Sequence, residues 1–135
     1  SNYAGIAFGN AGTGYVHAMS YSFGATYHVP HGEANYVLFM AVFKTYQKKN
    51  PKGFISSLNK KLSEILKCGE NEVYEELDKI LNKVLPLKKM SEYGVKNNEL
   101  DIFTKNTVES QTRLTQNGYI QFSAEQVKEI YESVF

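Results

Sequence analysis

The segment that decides the fold of this chain is GTGYVHAMSYSFGATYHVPHGEAN, residues 12–35. It contains all three histidines of the protein, His17, His28 and His31. It also overlaps an uncharged region, because residues 1–32 include no Asp, Glu, Lys or Arg. A glycine-rich, uncharged segment that carries every imidazole of the chain is where we expect a buried polar site.

Length and composition indicate one globular domain. The chain has 135 residues, 42% of them hydrophobic and 21% charged, which is ordinary for a folded protein with a real core. Its net charge of +1 gives no reason to expect binding to nucleic acid or to an anionic membrane surface. The single cysteine, Cys68, cannot form an internal disulfide, so we expect a cytoplasmic protein. Ser1-Asn2 reads as a remnant of cloning, and we expect the chain to be part of a longer protein.

The first third of the chain is predicted to form two buried helices. Residues 4–25 are mostly small and apolar, which favours one tightly packed helix over a membrane span because Asn, Ser, Thr and His are frequent. The glycines of residues 9–14 have the spacing GxxGxG, so they indicate close helix packing and not a phosphate-binding loop. Pro30 favours the first turn of a second helix. That helix is predicted over residues 33–48, apolar on most of its circumference and therefore in the core.

The remaining two thirds are predicted to form amphipathic helices joined by short turns. The predicted helices cover residues 54–67, 71–85, 98–112 and 123–135. Gly69 is a candidate helix end, and Ser123 with Gln126 forms a capping box. Residues 90–95 are predicted as a turn and 113–121 as irregular, with 119–122 the single candidate strand. The fold class predicted from these patterns is all-α.

His17 and His31 are the candidate metal ligands. His17 is predicted in the middle of the first helix and His31 in the first turn of the second, so a short corner would bring both imidazoles to one pocket. Neutral imidazole is the commonest metal ligand, and burial and a helix N-terminus both disfavour the charged form. Two ligands are too few for a zinc or iron site, and Glu33 should point elsewhere. From residue types alone, two ordinary core or surface histidines remain the other interpretation.

The order of residues 10–35 resembles the signature of the iron-containing (group III) alcohol dehydrogenases, NAGxGxxHxMxHxLGxxYxxPHGxxNA. The shared residues are Asn10, Ala11, Gly12, Gly14, His17, Met19, Gly24, Tyr27, Pro30, His31, Gly32 and Asn35. Residues 85–95 and 127–131 also look like the C-terminal region of that family. The segments AFGNAG, AMSY and YHVPHGEANY are similar to those of the 4-hydroxybutyrate dehydrogenase branch.

The resemblance implies an all-α, multi-helix C-terminal domain of the dehydroquinate synthase-like type, truncated at its N-terminus. Residues 1–135 would form this single partial domain, with the nucleotide-binding domain and the first helices upstream. His17 and His31 would be two of four protein ligands to divalent iron, or to zinc, with an upstream Asp and His as the others. The implied reaction is metal-assisted hydride transfer between an alcohol or aldehyde and NAD(P), and the residues that bind NAD(P) are not identified.

Two further site residues follow from the resemblance. Tyr21 stands where the family commonly has a second His, so it is the candidate catalytic residue. Its unperturbed pKa of about 10 makes it a poorer base than His, although its hydroxyl can donate a hydrogen bond. His28 is close enough in sequence to line the substrate site, and a solvent-exposed corner histidine is the other interpretation.

A non-catalytic helical interaction module is the alternative function. It rests on the amphipathic helices and on an apolar N-terminal segment that would form a homodimer through the first helix. As an isolated piece, the chain is expected to be inactive in hydride transfer.

Overall fold

The computed structural model describes residues 2–135, and that part of the chain contains helices and no β-strand. Ser1 lies outside the described residues and Asn2 begins the first helix, and the assignment of both to a cloning remnant stays a prediction. The α-helices are α1 Asn2–Ala11, α2 Tyr15–Tyr27, α3 His31–Lys49, α4 Phe54–Leu66, α5 Val73–Val84, α6 Leu100–Ser110, α7 Thr112–Thr115 and α8 Ala124–Ser133. Short 3-10 helices span Met90–Tyr93 and Asn97–Glu99. The all-α prediction is confirmed.

The core lies where α2 and α3 pack together and against α6 and α8. Its largest buried side chains come from these four helices and from the 3-10 helix Met90–Tyr93. They are Met19, Phe23, Leu38, Met90, Leu100 and Tyr131. The Tyr131 hydroxyl donates to the carbonyl oxygen of Met19 at 2.8 Å and lies 2.8 Å from the hydroxyl of Thr107. Burial raises the pKa of Tyr131, so the hydroxyl stays protonated. This network joins α8 and α6 to the middle of α2.

The prediction of one helix over residues 4–25 is wrong, because the chain breaks at residues 12–14. Gly12 has φ of 74°, a left-handed conformation that glycine adopts without strain, and its N–H donates to the carbonyl oxygen of Phe8 at 2.9 Å. A Cβ at Gly12 would lie 2.6 Å from Nδ2 of Asn117, so the Asn117 side chain would have to move if Gly12 were replaced. The glycines at 12 and 14 therefore end one helix and begin another.

Helix α1 is not buried, contrary to the expectation for the first segment. None of its residues is buried, and Tyr3, Ile6 and Phe8 are 89%, 56% and 60% exposed. Because α1 precedes the break, it does not share the packing that buries α2. Among residues 2–135, no helix is both long and apolar enough to cross a membrane.

Helix α3 has one buried face and one open face, so it is less enclosed than its composition indicated. Val37 and Leu38 are almost fully buried, whereas Phe39 and Phe43 are only half-buried. Helices α4 and α5 form a pair that packs on α3. The open face of α3 therefore lies between the α4–α5 pair on one side and the start of α2 on the other.

Helix ends follow the predictions with two corrections. The capping box is confirmed, since the Ser123 hydroxyl accepts from the Gln126 N–H and the Gln126 side chain accepts from the Ser123 N–H. Lys67 and not Gly69 ends α4 in the left-handed conformation, with φ of 56°. Residues 112–115 form a short helix inside the segment predicted as irregular, and residues 119–122 form no strand.

Candidate metal centre

The structure brings His17 and His31 together. Their ring centroids are 5.2 Å apart, with an angle of 55° between the ring planes. His17 is the third residue of α2, in its first turn, so its prediction in the middle of a helix is wrong. His31 is the first residue of α3, as expected, and follows Pro30, which lies just outside the helix as its N-cap. Both imidazoles therefore belong to the first turn of a helix.

A tight turn of three residues, 28–30, connects α2 to α3. His28 ends α2 in the left-handed conformation with φ of 53°, and its N–H and that of Val29 both donate to the Gly24 carbonyl oxygen. Val29 is buried, and a Cβ on Gly24 would touch Ala34 on α3 at 3.4 Å. This close approach of α2 to α3 supports the pairing of the two histidines.

His17 is held in an environment that favours its neutral form. Burial and, to a smaller extent, the positive charge of a protonated His31 lower the pKa of His17. A neutral imidazole retains the lone pair that a metal ion requires. Glu33 does not compete for this place, because its carboxylate accepts a hydrogen bond of 2.6 Å from the Tyr93 hydroxyl. The prediction that Glu33 points away from the site is confirmed.

Asn35 is a polar neighbour of the pair that the sequence reasoning missed. Its Nδ2 lies 3.0 Å from Nε2 of His31, one helical turn earlier on α3. Its Oδ1 is buried and has no hydrogen-bond partner among the described residues. The signal was present in the spacing, since residues four apart are neighbours on a helix surface.

Tyr21 lies beside His31 and His28 lies apart from the pair. The rings of Tyr21 and His31 have centroids 6.0 Å apart, and both residues line a cavity of about 280 Å³ together with Ser20, Gly24, Ala25, Val29 and Ala34. Tyr21 is 40% exposed.

His28 is exposed at the helix corner and lines neither this cavity nor the larger one described next. Its role in substrate binding stays a prediction.

A larger groove of about 740 Å³ opens on the other side of His17. Its walls come from the start of α2, from α3 and α4, and from the loop after α7. They include His17, Asn35, Phe39, Phe43, Ile55 and Tyr119. Among residues 2–135, no Asp, Glu, Lys or Arg lines it. The sequence indicates this groove through the second apolar face of α3, although apolar residues on most of that helix predicted a core position for all of it.

The described residues form no complete metal site. Within residues 2–135, no group of three or more His, Cys, Asp or Glu side chains is placed to hold a metal ion. His17 and His31 fit a metal centre by their proximity and by the neutral form of His17. They fit as two of its ligands, and a complete site needs about three or four protein ligands in all.

The chain is similar to alcohol dehydrogenases over its whole length. Residues 1–135 match the family model described as "Fe-containing alcohol dehydrogenase family, C-terminal". The chain is 52% identical over 135 residues to 4-hydroxybutyrate dehydrogenase of Clostridium kluyveri, covering 100% of this chain and 36% of that protein. It is 33% identical over 135 residues to alcohol dehydrogenase 4 of Schizosaccharomyces pombe, covering 96% of this chain and 30% of that protein.

The chain therefore belongs to the Fe-containing alcohol dehydrogenase family and corresponds to its C-terminal part. Its fold agrees with a solved structure of 1,3-propanediol oxidoreductase, with a TM-score of 0.77 at 22% identity over 98% of this chain and 35% of that one. The family and the C-terminal helical fold predicted from residues 10–35 are confirmed. The chain spans about a third of the length of these relatives.

Proposed function

We propose that this chain is the metal-binding helical part of an NAD(P)-dependent alcohol dehydrogenase that interconverts 4-hydroxybutyrate and succinic semialdehyde. The observation that carries the proposal is the pairing of His17 and His31 at 5.2 Å, on the residues that match the family signature. Support for the substrate comes from the relative of Clostridium kluyveri, which is named a 4-hydroxybutyrate dehydrogenase. We expect the parent protein to act in the cytoplasm.

His17 and His31 would hold a divalent iron, or a zinc ion, through unprotonated ring nitrogens. Such an ion supplies Lewis-acid polarisation of the alcohol or aldehyde oxygen during hydride transfer to or from NAD(P). The partial burial of His17 keeps this ligand neutral at physiological pH. Tyr21, beside His31 and partly exposed, would donate a hydrogen bond to the substrate from the smaller cavity.

The carboxylate of 4-hydroxybutyrate needs a partner that these two cavities do not offer. Neither cavity is lined by Lys or Arg within the described residues 2–135. An unpaired carboxylate is costly to remove from water, so a cation or several donors must accompany it. We place these groups, together with the NAD(P) site, in the part of the parent that precedes this chain.

The test is made on the full-length parent, purified without metal and loaded anaerobically with ferrous iron. NADH and NADPH consumption is followed with succinic semialdehyde, propanal and lactaldehyde. We expect preference for the semialdehyde, and bound iron that is lost in His17→Gln and in His31→Gln but retained in the exposed control Lys105→Gln. Equal use of the simple aldehydes would reject the substrate, and full iron content in both histidine variants would reject the metal ligands.

A helical interaction module remains the second candidate, because α1 exposes Tyr3, Ile6 and Phe8 on a helix without buried residues. Such a surface favours association, and a homodimer through α1 is its simplest form. Sedimentation of the 135-residue chain tests this, with Ile6→Lys and Phe8→Lys expected to give a monomer. A dimer that persists in these variants would remove α1 from the interface.

A further inference from the structure

Asn35 and His31 form a side-chain contact that constrains the imidazole. Nδ2 of Asn35 lies 3.0 Å from Nε2 of His31, and it is the one side-chain hydrogen bond of either residue within residues 2–135. An amide nitrogen donates hydrogen bonds and does not accept them. With Nδ2 of Asn35 facing the ring, as the side chains are placed here, Nε2 is the acceptor, so the proton of a neutral His31 ring is on Nδ1.

We propose that Asn35 is a positioning residue that holds His31 in the tautomer with an unprotonated Nε2 and fixes the ring beside His17. The inference rests on the proposed function, in which His31 is a metal ligand. A neutral histidine can carry its proton on either nitrogen, and the hydrogen bond that it makes decides which one is available to a metal. Asn35 thereby keeps Nε2 unprotonated, and His31 would offer this lone pair to a metal ion in exchange for the amide N–H.

The position of His31 explains why such a restraint is needed. His31 is exposed and is the first residue of α3, so little packing holds its ring. Its neighbours in the cluster are His17 at 5.2 Å and Tyr21 at 6.0 Å between ring centroids, and within residues 2–135 neither makes a hydrogen bond with His31. The amide of Asn35 is the group in contact that can select a tautomer.

The other end of the same amide supports a functional role. Oδ1 of Asn35 is buried without a hydrogen-bond partner among the described residues, beside the apolar groove. A buried acceptor that is left unpaired lowers stability, whereas a leucine of similar size would carry no such cost. Packing alone therefore does not account for an amide at this position, and its contact with His31 does.

The experiment uses the 135-residue chain labelled with ¹⁵N-histidine, at about pH 8, where ordinary imidazoles are neutral. Long-range ¹H–¹⁵N correlation spectra distinguish protonated from unprotonated ring nitrogens, and His31→Gln assigns the signals. We expect the His31 proton on Nδ1 in the wild type. In Asn35→Asp the carboxylate can only accept, so the proton should move to Nε2, and in Asn35→Leu both tautomers should be populated.

Asn71→Asp, at an exposed position, is the matched control and should leave the wild-type tautomer. A wild-type proton on Nε2, or an unchanged tautomer in both the Asp and Leu variants, would overturn the role of Asn35. If the Leu variant does not fold, as judged by circular dichroism, the Asp variant decides the question by itself.

Addition of Zn²⁺ to the same samples separates this inference from the proposed function. Shifts of both His17 and His31 ring nitrogens in the wild type, absent in His17→Gln, would support the metal pair. A tautomer change in Asn35→Asp without any response to Zn²⁺ would reject the metal centre and retain the contact. A response to Zn²⁺ without tautomer control would reject the role of Asn35 alone.

Discussion

Replacing Tyr131 by Phe removes one oxygen atom from the best-buried polar contact of the molecule. The hydroxyl lies 2.8 Å from both the Met19 carbonyl oxygen and the Thr107 hydroxyl, and Tyr131 and Thr107 are 0% exposed. Each hydrogen bond of this kind contributes about 0.5–1.5 kcal/mol, and both side chains are removed from solvent. We expect the free energy of unfolding to fall by about 1–3 kcal/mol.

Urea denaturation followed by far-ultraviolet circular dichroism measures this change. Thr107→Val removes one of the two bonds and leaves Tyr131 paired with Met19, so its loss should be about 0.5–1.5 kcal/mol. Tyr3→Phe is the matched control, because Tyr3 is 89% exposed and should stay within about 0.5 kcal/mol of the wild type.

The ranking of the three variants tests the reasoning more sharply than any one value. A Tyr131→Phe protein as stable as Tyr3→Phe would show that the hydroxyl network does not hold α2 against α6 and α8. Since Met19 is two residues after His17, the same result would remove this anchor from the account of how His17 is positioned.

Three further predictions concern stability and contacts outside the candidate site. The Tyr27 hydroxyl donates to Glu99 and lowers the pKa of that carboxyl below its usual 4.5, so stability should fall as pH drops through and below about 4.5. Tyr27→Phe should flatten this acid limb in urea midpoints measured against pH, and an unchanged slope would contradict the linkage. Gly94→Ala should cost about 1–2 kcal/mol in the same assay, because Gly94 has φ of 94° and a new Cβ would meet only ordinary contact with the Tyr27 ring. Ser123→Ala should cost about 0.5–2 kcal/mol through the lost N-cap, with Gln126→Ala smaller, and equal losses would show that the hydroxyl is not the main cap.

The helical fold could be predicted because its signals are local. Helices α4, α5 and α8 follow from apolar spacing and from end signals such as Ser123 with Gln126, which act over a few residues. The break at residues 12–14 was missed, since glycine is compatible with both a packed helix and a turn. Its choice depends on the approach of Asn117, more than a hundred residues away.

The candidate site was predictable in its residue types and in the pairing of His17 with His31, but not in its other contacts. The spacing of His17 and His31 within the family signature identified both histidines, and the structure places their rings 5.2 Å apart. His28, in the same segment, was a candidate for lining the substrate site, and the structure exposes it at the left-handed corner, apart from the pair. The contact of Asn35 with His31 agrees with a spacing of four residues on a helix, but the spacing does not say which atoms of the two side chains meet.

The sequence by itself determined the fold class, the family and the two histidines, because these depend on residue type and short-range order. Only the tertiary structure decided which apolar surfaces are covered. Helix α1 and the outer face of α3 have core-like composition, and yet Tyr3 and Phe8 are exposed and Phe39 faces a groove. Burial depends on what packs opposite a side chain, and composition carries no information about a neighbour that is distant in the chain.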